Sequence, residues 1–378
     1  MAAAVKPTPH PPATGPAPRY RRLVGVGGIG AGIFFVLEGT HELGRNESRP
    51  GRLLDVRDYC KLHIVAHYPA VLLGARPEGS PFLVLPVGKV GIDEVGLRLR
   101  AEMSQAGMDT RFVDTLPGRP TLLSVCFQYP DGSGGNITTI DSAAALLAAK
   151  DVDRALAWVD RETLALAVPE VPLAARLHLL RRATERGAFR AASLTSAEVA
   201  EARQAGLLEL VDLLALNEDE AAAIAGVPFP AGAETSFLRR CAEATGAGVR
   251  LIVTAGARGA FAFDGESWTQ ARALPVPVVN TAGAGDALLG GVLTGLAAGL
   301  PFLDHGSRRA GLADRPLTSA FDLGILLAAF KVTSPHTIPP GLSPAVLAAF
   351  VREHGLTLGA GLRRLLAAEG SPEHAHER

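Results

Sequence analysis

The sequence predicts an α/β protein in which a mostly parallel central sheet lies between two layers of helices, a three-layer αβα arrangement. Short apolar runs alternate with segments of helical spacing over most of the 378 residues, which is the pattern of repeated strand–helix units. The alternation is most regular from residue 151 onward. Less regular material in the first third predicts a small β-lid beside the main sheet.

The individual elements follow from apolar spacing and from turn or capping residues between them. Strands are expected at 22–27, 82–88, 121–129, 136–140, 163–168, 188–193, 210–216 and 249–254, with an antiparallel hairpin over 259–274. Helices are expected at 55–74, 93–107, 172–187, 196–206, 284–299, 318–333 and 343–355. The lid strands are expected within about 33–52 and 111–140, where the alternation is irregular.

Composition excludes several classes of partner. The 37 basic and 38 acidic residues nearly cancel, which argues against a nucleic acid or an anionic membrane as partner. No apolar run has membrane-spanning length. The three cysteines lack the spacing of a zinc site or a disulfide framework. A soluble cytoplasmic protein is therefore expected.

Domain boundaries are predicted from composition. Residues 1–19 are rich in Pro and Ala, and a segment with so little to bury is expected to be a disordered tail. Residues 20–368 are expected to form the functional domain. Residues 369–378 form a polar C-terminal tail.

The stretch LVGVGGIGAG near the start contains Gly25, Gly27 and Gly30 in a G-x-G-x-x-G pattern. This pattern indicates a dinucleotide site only inside a strand–turn–helix unit. The following residues, 33–39, are more typical of a strand than of a helix. We therefore expect these glycines to mark the end of the first strand beside an acceptor-substrate pocket, and an NAD-dependent oxidoreductase is the alternative.

The segment 277–300 carries the most informative loop, in which an apolar run leads through Asn-Thr-Ala-Gly-Ala-Gly-Asp, ending at Asp286, into a helix of small residues. Gly283 and Gly285 let backbone N–H groups approach an anion closely, and the helix N-terminus favours phosphate. Because a carboxylate repels phosphate, Asp286 is expected to accept the proton of a hydroxyl that attacks a γ-phosphoryl group. The alternative is that Asp286 only caps the helix.

This loop resembles the D-T-x-G-A-G-D hallmark of the ribokinase-like, or PfkB, carbohydrate kinase family, with Asn280 in place of the first Asp. Further similar motifs follow the family's order, at 87–96, 106–113, 213–226 and 251–263. The resemblance extends from about residue 21 to 345. It implies the ribokinase-like fold with a β-lid, and the use of ATP and Mg²⁺ to phosphorylate an alcohol.

Carried over by position, the resemblance implies a role for each matching residue. Asp286 would be the catalytic base, and Gly283, Ala284 and Gly285 would form the anion hole. The nucleotide site would comprise Asn217, Glu220, Thr254, Gly256, Gly259, Ala329 and Thr333, with Glu220 holding Mg²⁺ through water. Asn217 and Glu220 also have the spacing of a helix capping box, which by itself explains both residues.

The sugar-binding segment departs from the family pattern. The family has an Asp at the end of the first strand, where this chain has Ala31 and Gly32, and it has a Gly-Gly…Asn-x-Ala segment that 58–74 lacks. Substrate contacts are therefore expected from Gly30, Gly32, Asn46 and His63, with Glu47, Arg49 and Asp55 as further candidates. For each of them, a solvated loop or a surface helix position is the alternative.

Two other side-chain groups have both a functional and a structural explanation. His63 and His67 have the four-residue spacing of a two-histidine metal pair, although no third ligand is evident. Arg45, Arg49 and Arg52 suit an acidic or phosphorylated substrate, or equally a charged lid surface.

These observations favour an ATP-dependent kinase that phosphorylates a hydroxyl of a sugar or sugar-like small molecule. The resemblance also allows a homodimer that pairs through the lid. A nucleoside kinase of the same fold is the first alternative. A nucleotide-binding regulatory protein without sugar kinase activity is the second, because the sugar-binding residues are altered.

Overall fold

The computed structural model describes residues 19–40, 42–77, 82–131, 134–230, 234–246, 248–304 and 309–367. Apart from Arg19, the two predicted tails lie outside these residues. The described strands are β1 (Arg22–Val26), β2 (Gly30–Leu37), β3 (Gly51–Tyr59), β4 (Leu83–Gly91), β5 (Val113–Leu116), β6 (Leu122–Gln128), β7 (Gly134–Thr138), β8 (Thr163–Ala167), β9 (Phe189–Ser193), β10 (Leu213–Leu216), β11 (Arg250–Thr254), β12 (Ala260–Phe263), β13 (Trp268–Ala271) and β14 (Arg309–Ala310). The described helices are α1 (Lys61–Leu72), α2 (Glu94–Gln105), α3 (Ala149–Asp153), α4 (Leu173–Glu185), α5 (Val199–Gln204), α6 (Glu218–Ala225), α7 (Glu234–Thr245), α8 (Ala284–Ala297), α9 (Ala320–Val332), α10 (Pro344–Glu353) and α11 (Ala360–Ala367).

The main sheet has the strand order β14-β13-β12-β11-β10-β9-β8-β1-β4-β5 within the described residues. All neighbours from β5 to β11 are parallel, and β11, β12 and β13 are antiparallel to one another. The prediction of a mostly parallel sheet with a hairpin after residue 259 is confirmed. The carboxyl ends of β8, β10 and β11 lie at one edge, which is where open α/β sheets bind ligands.

Helices cover both faces of the main sheet. Leu23 of β1 packs in a core cluster that includes residues of α1, α8 and α9. Its neighbours Val24 and Val26 point the other way, into a cluster with residues of α3 and α4, because side chains alternate along a strand. The predicted three-layer αβα arrangement is therefore confirmed. No helix in the described ranges is long and apolar enough to cross a membrane.

A second sheet of four described strands, in the order β3-β2-β6-β7, forms the lid. Its strand β2 follows β1 after only three linking residues, 27–29. The glycine-rich opening stretch therefore joins two strands and does not enter a helix. The strand–turn–helix unit that a dinucleotide site requires is not formed here, so the structure removes the basis for the NAD alternative.

Two predicted elements are wrong in the first third. The predicted helix 55–74 begins only at Lys61, because residues 51–59 pair with β2 as the lid strand β3. Residues 111–114, expected in the lid, contribute instead to β5, whose Val113 is buried beside β4 in the main sheet. In the first place apolar spacing does not distinguish a helix from a strand, and pairing with β2 decides between them. In the second place the segment is a strand as expected, and only its pairing with β4 shows to which sheet it belongs.

Candidate active site

The loop 280–286 is folded by its own polar groups. The Asn280 side chain accepts a hydrogen bond from the Ala282 amide (2.9 Å) and donates one to the Pro335 carbonyl (2.7 Å). Gly283 precedes α8 with φ 77°, a left-handed conformation that favours glycine. The Ala284 amide donates to the Thr281 carbonyl. The Gly285 amide lies in the first helical turn, where N–H groups have no acceptor inside the helix.

Asp286 lies in the first turn of α8 with only 14% of its side chain exposed. Its Oδ1 is 3.4 Å from the Nζ of Lys61, the first residue of α1. The N-terminus of α8 and the Lys61 ammonium thus both lie at this carboxylate, and both favour negative charge there. Asp286 in turn raises the pKa of Lys61, so the ammonium stays charged.

Lys61 was not among the predicted site residues. The helix predicted from residue 55 placed this lysine in a helix interior, whereas the observed start at Lys61 places it at the N-terminus beside Asp286. The signal in the sequence that could have found this residue is the end of the strand pattern at Cys60. A helix predicted to begin after Cys60 would have placed the Lys61 ammonium at a helix N-terminus, beside the site.

Glu170, which follows β8, is a second residue that the sequence did not reveal. It has φ 73°, an uncommon backbone conformation for a residue other than glycine. Its Oε2 accepts the Lys61 backbone N–H at 2.9 Å. Burial raises the pKa of Glu170 to about 7, with Lys61 opposing the shift and Asp286 adding to it. Such strained and perturbed groups concentrate at functional sites.

Asn217 and Glu220 form the capping box that the sequence offered as an explanation. The Asn217 side chain accepts the Glu220 amide, and the Glu220 carboxylate accepts the Asn217 amide, both at 2.8 Å. Glu220 is nevertheless buried and lines the main cavity. Burial raises its pKa to about 7, opposed by Lys61. One residue pair thus starts α6 and presents a carboxylate to the cavity.

A cavity of about 570 Å³ extends from Asp286 along the carboxyl edge of the sheet, a size typical of small-molecule sites. It is lined by most of the residues assigned to the anion hole and nucleotide site, namely Asn217, Glu220, Thr254, Gly256, Gly259, Gly283, Ala284, Gly285, Asp286 and Ala329. Its far end is apolar, with Val276, Val278, Ile325, Ala328 and Val332 among the lining residues. Thr333 is not in the described lining, and its hydroxyl donates to the Phe330 carbonyl at the end of α9.

None of the four predicted substrate residues is among the described residues that line this cavity. A Cβ on Gly30 would lie 2.4 Å from the Leu122 carbonyl oxygen, and one on Gly32 would lie 1.8 Å from Asp58 Oδ2. Both glycines thus adjoin atoms of the chain itself. Asn46 is exposed in a turn with φ 62°.

His63 is buried in α1 rather than exposed at a surface. Its ring packs against Tyr59 with a centroid distance of 4.5 Å, and burial lowers the pKa of His63 to about 3. His67 lies one turn further, with ring centroids 6.3 Å apart. No group of three metal-ligating side chains is found in the described ranges of the chain. One residue of the arginine cluster already has a neighbouring carboxylate as its partner, since Arg49 Nε lies 3.0 Å from Glu47 Oε1.

Comparison with known proteins matches this geometry to a family. A family model described as pfkB family carbohydrate kinase matches residues 83–344. The bifunctional ribokinase/ribose-5-phosphate isomerase A of Fructilactobacillus sanfranciscensis is 25% identical over 249 residues, which are 65% of this chain and 44% of that protein. The chain therefore spans less than half the length of this relative.

Solved structures resemble most of the chain. A putative ribokinase II from E. coli in complex with ATP and Mg²⁺ has a TM-score of 0.66 at 19% identity, covering 88% of this chain and 100% of that one. A nucleoside kinase from Burkholderia thailandensis in complex with inosine has a TM-score of 0.65 at 18% identity, covering 89% and 99%. These similarities confirm the predicted ribokinase-like fold.

Proposed function

The chain belongs to the PfkB family of carbohydrate kinases, and on that premise we propose that it transfers the γ-phosphoryl group of ATP to a hydroxyl of a sugar or sugar-like small molecule. The observation that carries this proposal is the position of Asp286. Its carboxylate is at the mouth of a phosphate-type helix N-terminus, in a cavity of nucleotide size, and beside the Lys61 ammonium.

The proposed reaction uses the residues of the chain as follows. The acceptor hydroxyl oxygen bonds to the γ-phosphorus while the bond from that phosphorus to the β–γ bridging oxygen breaks, and ADP leaves. The hydroxyl proton passes to Asp286. Lys61 and the amides of the first turn of α8 stabilise the charge on the transferred group. The lid, by covering the acceptor, would limit hydrolysis by water.

The nucleotide is proposed to lie along the cavity, with its base in the apolar end near Ala329 and its phosphates towards Gly285. The cavity residues suit Mg²⁺ because Glu220 offers a buried carboxylate of the kind that hard cations bind. Glu220 would hold the ion through water, and Mg²⁺ when bound supplies positive charge to the phosphate oxygens.

The decisive experiment is an ATP-consumption screen over sugars, nucleosides and polyols, with Asp286→Asn as the inactive control. We expect that variant to bind ATP with unchanged affinity and to lose at least about 10³-fold in kcat, as for removal of other essential groups of this kind. Unchanged turnover would remove Asp286 from the mechanism.

The same screen separates the alternatives. A rate limited to nucleosides would identify a nucleoside kinase. Stabilisation by ATP with Mg²⁺ but no turnover with any acceptor would favour the regulatory protein. Thermal stabilisation by NAD and not by ATP would contradict the kinase proposal altogether.

A further inference from the structure

The lid strands β2 and β3 pair irregularly next to the active site. Gly32 pairs with Asp58, yet the next pair is Phe34 with Leu54, so the three residues 55–57 of β3 stand opposite the single residue Ile33. A bulge of this kind bends a strand and changes the direction of the side chains beside it, and bulges are frequent next to active sites. The side chain that follows this bulge is Asp58.

The bulge is fixed by a loop from the other end of the chain. The Arg57 amide donates to His336 Nδ1 at 2.9 Å, and the Arg57 carbonyl accepts the Thr337 amide at 3.1 Å. The Tyr59 amide donates to the Thr337 hydroxyl at 3.0 Å. Thr337 is buried and contacts the anion-hole loop, since a Cβ on Gly283 would lie 3.2 Å from it. Asp58 is therefore held in a fixed relation to that loop.

The Asp58 carboxylate fills the space that the absent side chain of Gly32 leaves open. A Cβ on Gly32 would lie only 1.8 Å from Asp58 Oδ2. Burial raises the pKa of Asp58 to about 6, a Thr337 hydrogen bond opposes this, and Asp286 adds to it. The Asp58 carboxylate thus lies close enough to Asp286 for the two charges to interact. At Ala31 and Gly32, where the family pattern implies an Asp, the facing strand β3 supplies a carboxylate instead.

We propose that Asp58 is the acceptor-binding residue of this enzyme, and that it accepts hydrogen bonds from two adjacent hydroxyls of a neutral polyol. A carboxylate has about four acceptor positions. The Thr337 hydroxyl has a single proton and can fill only one of them, so positions remain for a ligand. Bidentate recognition by a carboxylate favours two neighbouring donors. This inference rests on the proposed kinase function and names its substrate class.

The charges near Asp58 favour a neutral acceptor over a phosphorylated sugar. Asp286 and Glu170 add negative charge on this side of the site, and the Lys61 ammonium beside them is paired with Asp286 at 3.4 Å. The buried cation Lys331, whose charge also reaches Asp58, donates its hydrogen bond to the Asn280 carbonyl at 2.7 Å. An anionic acceptor would meet like charges in a half-buried site, which is costly.

The test measures KM for the best polyol of the screen and for its monodeoxy analogue, in the full chain. We expect Asp58→Asn to raise the polyol KM at least about tenfold, to lose the preference for the polyol over the deoxy analogue, and to keep the KM for ATP. Glu38→Gln, at an exposed position directly after β2 of the same sheet, is the matched control and is expected to behave like wild type.

A double variant that moves the carboxylate from residue 58 to residue 32 tests whether its position in the site matters, independently of its effect on folding. Gly32→Asp together with Asp58→Gly moves the carboxylate to the facing position on β2, in the space that Asp58 vacates, and is expected to recover most of the affinity. Asp58→Asn is also expected to keep or raise the unfolding temperature, because it removes a half-buried charge. A structural role would instead lower that temperature and leave the diol preference intact.

The outcomes separate this inference from the proposed function. If the wild-type chain phosphorylates some alcohol and Asp58→Asn retains both KM and diol preference, the role of Asp58 is overturned alone. A wild-type preference for a sugar phosphate over the neutral sugar overturns the substrate class. If no alcohol is phosphorylated at all, the proposed function fails and this inference fails with it.

Discussion

The nucleotide side and the acceptor side of the site are built in different ways. On the nucleotide side each motif has a local contact of its own: Asn217 bonds Glu220 three residues on, and Asn280 bonds Ala282 two residues on as well as the distant Pro335. On the acceptor side they join distant segments, such as Lys61 with Asp286 across 225 positions. A local motif keeps its geometry when its surroundings change. A site assembled from distant segments depends on how those segments pack, which no single motif records. This difference explains why the nucleotide side is recognisable in the sequence and the acceptor side is not.

After the loss of Asp286 itself, the largest effect is expected from breaking the long-range contact between Lys61 and Asp286. Lys61→Met keeps the size of the side chain and removes its charge, so the transferring phosphoryl group loses one stabilising cation. We expect kcat to fall about 10²–10³-fold, as for loss of other transition-state donors. Steady-state kinetics measure it, and Lys61→Arg is the control that keeps the charge. A change in unfolding temperature with unaltered kcat would show that the contact is only structural.

A smaller effect is expected at the local motif. Gly283→Ala places a side chain at φ 77° and against Thr337, and the strain costs about 1 kcal/mol. Gly299, at the other end of α8, has φ 80° and nothing within 4 Å of an added Cβ. We expect Gly283→Ala and Gly299→Ala to lower stability similarly, and only the first to reduce kcat/KM, by about tenfold or more. Equal kinetics for both would mean that the loop geometry does not matter for catalysis.

The difference between local contacts and contacts between distant segments also determined which features the sequence could predict. The strands and helices of the second half and the capping pair depend on near neighbours, and these predictions agree with the structure. The loop 280–286 also has local contacts, and its role in binding phosphate stays a prediction. The β3 strand, Asp58 and Glu170 depend on pairing with β2, with the loop at 336–337 and with α1. Apolar spacing alone could not distinguish a helix from a strand before residue 60. No local pattern could show that Gly32 and a carboxylate on another strand form one unit.

The proposed magnesium role of Glu220 gives a further, more moderate test on the nucleotide side. Glu220→Gln keeps an oxygen for the Asn217 amide, so α6 should still begin normally, but it removes the buried charge. We expect the Mg²⁺ concentration for half-maximal rate to rise about tenfold, as for loss of an outer-shell partner of a metal. Asp219→Asn, at an exposed position in the same turn, should leave it unchanged. If both variants titrate with Mg²⁺ like wild type, Glu220 serves as a cap only.

The smallest effect is expected in stability, from the buried carboxylate of Glu170. Its pKa rises from 4.5 to about 7 in the folded chain, so between these values the folded chain holds a proton that the unfolded chain has released. Stability therefore falls as pH rises through this window, and the loss is complete above about pH 7.

The Gln side chain of Glu170→Gln cannot titrate, so the variant does not lose this stability as pH rises. Its unfolding temperature should exceed that of wild type by about 3 °C at pH 8, with a difference that closes as pH falls towards 4.5. Glu201→Gln, at an exposed position of α5, is the matched control. A difference independent of pH would mean that the Lys61 contact, and not the buried charge, decides the contribution of Glu170. In that case the acceptor side would be held by the same kind of uncharged polar contact as the nucleotide side. The two sides would then differ only in how far apart in the sequence the bonded residues lie.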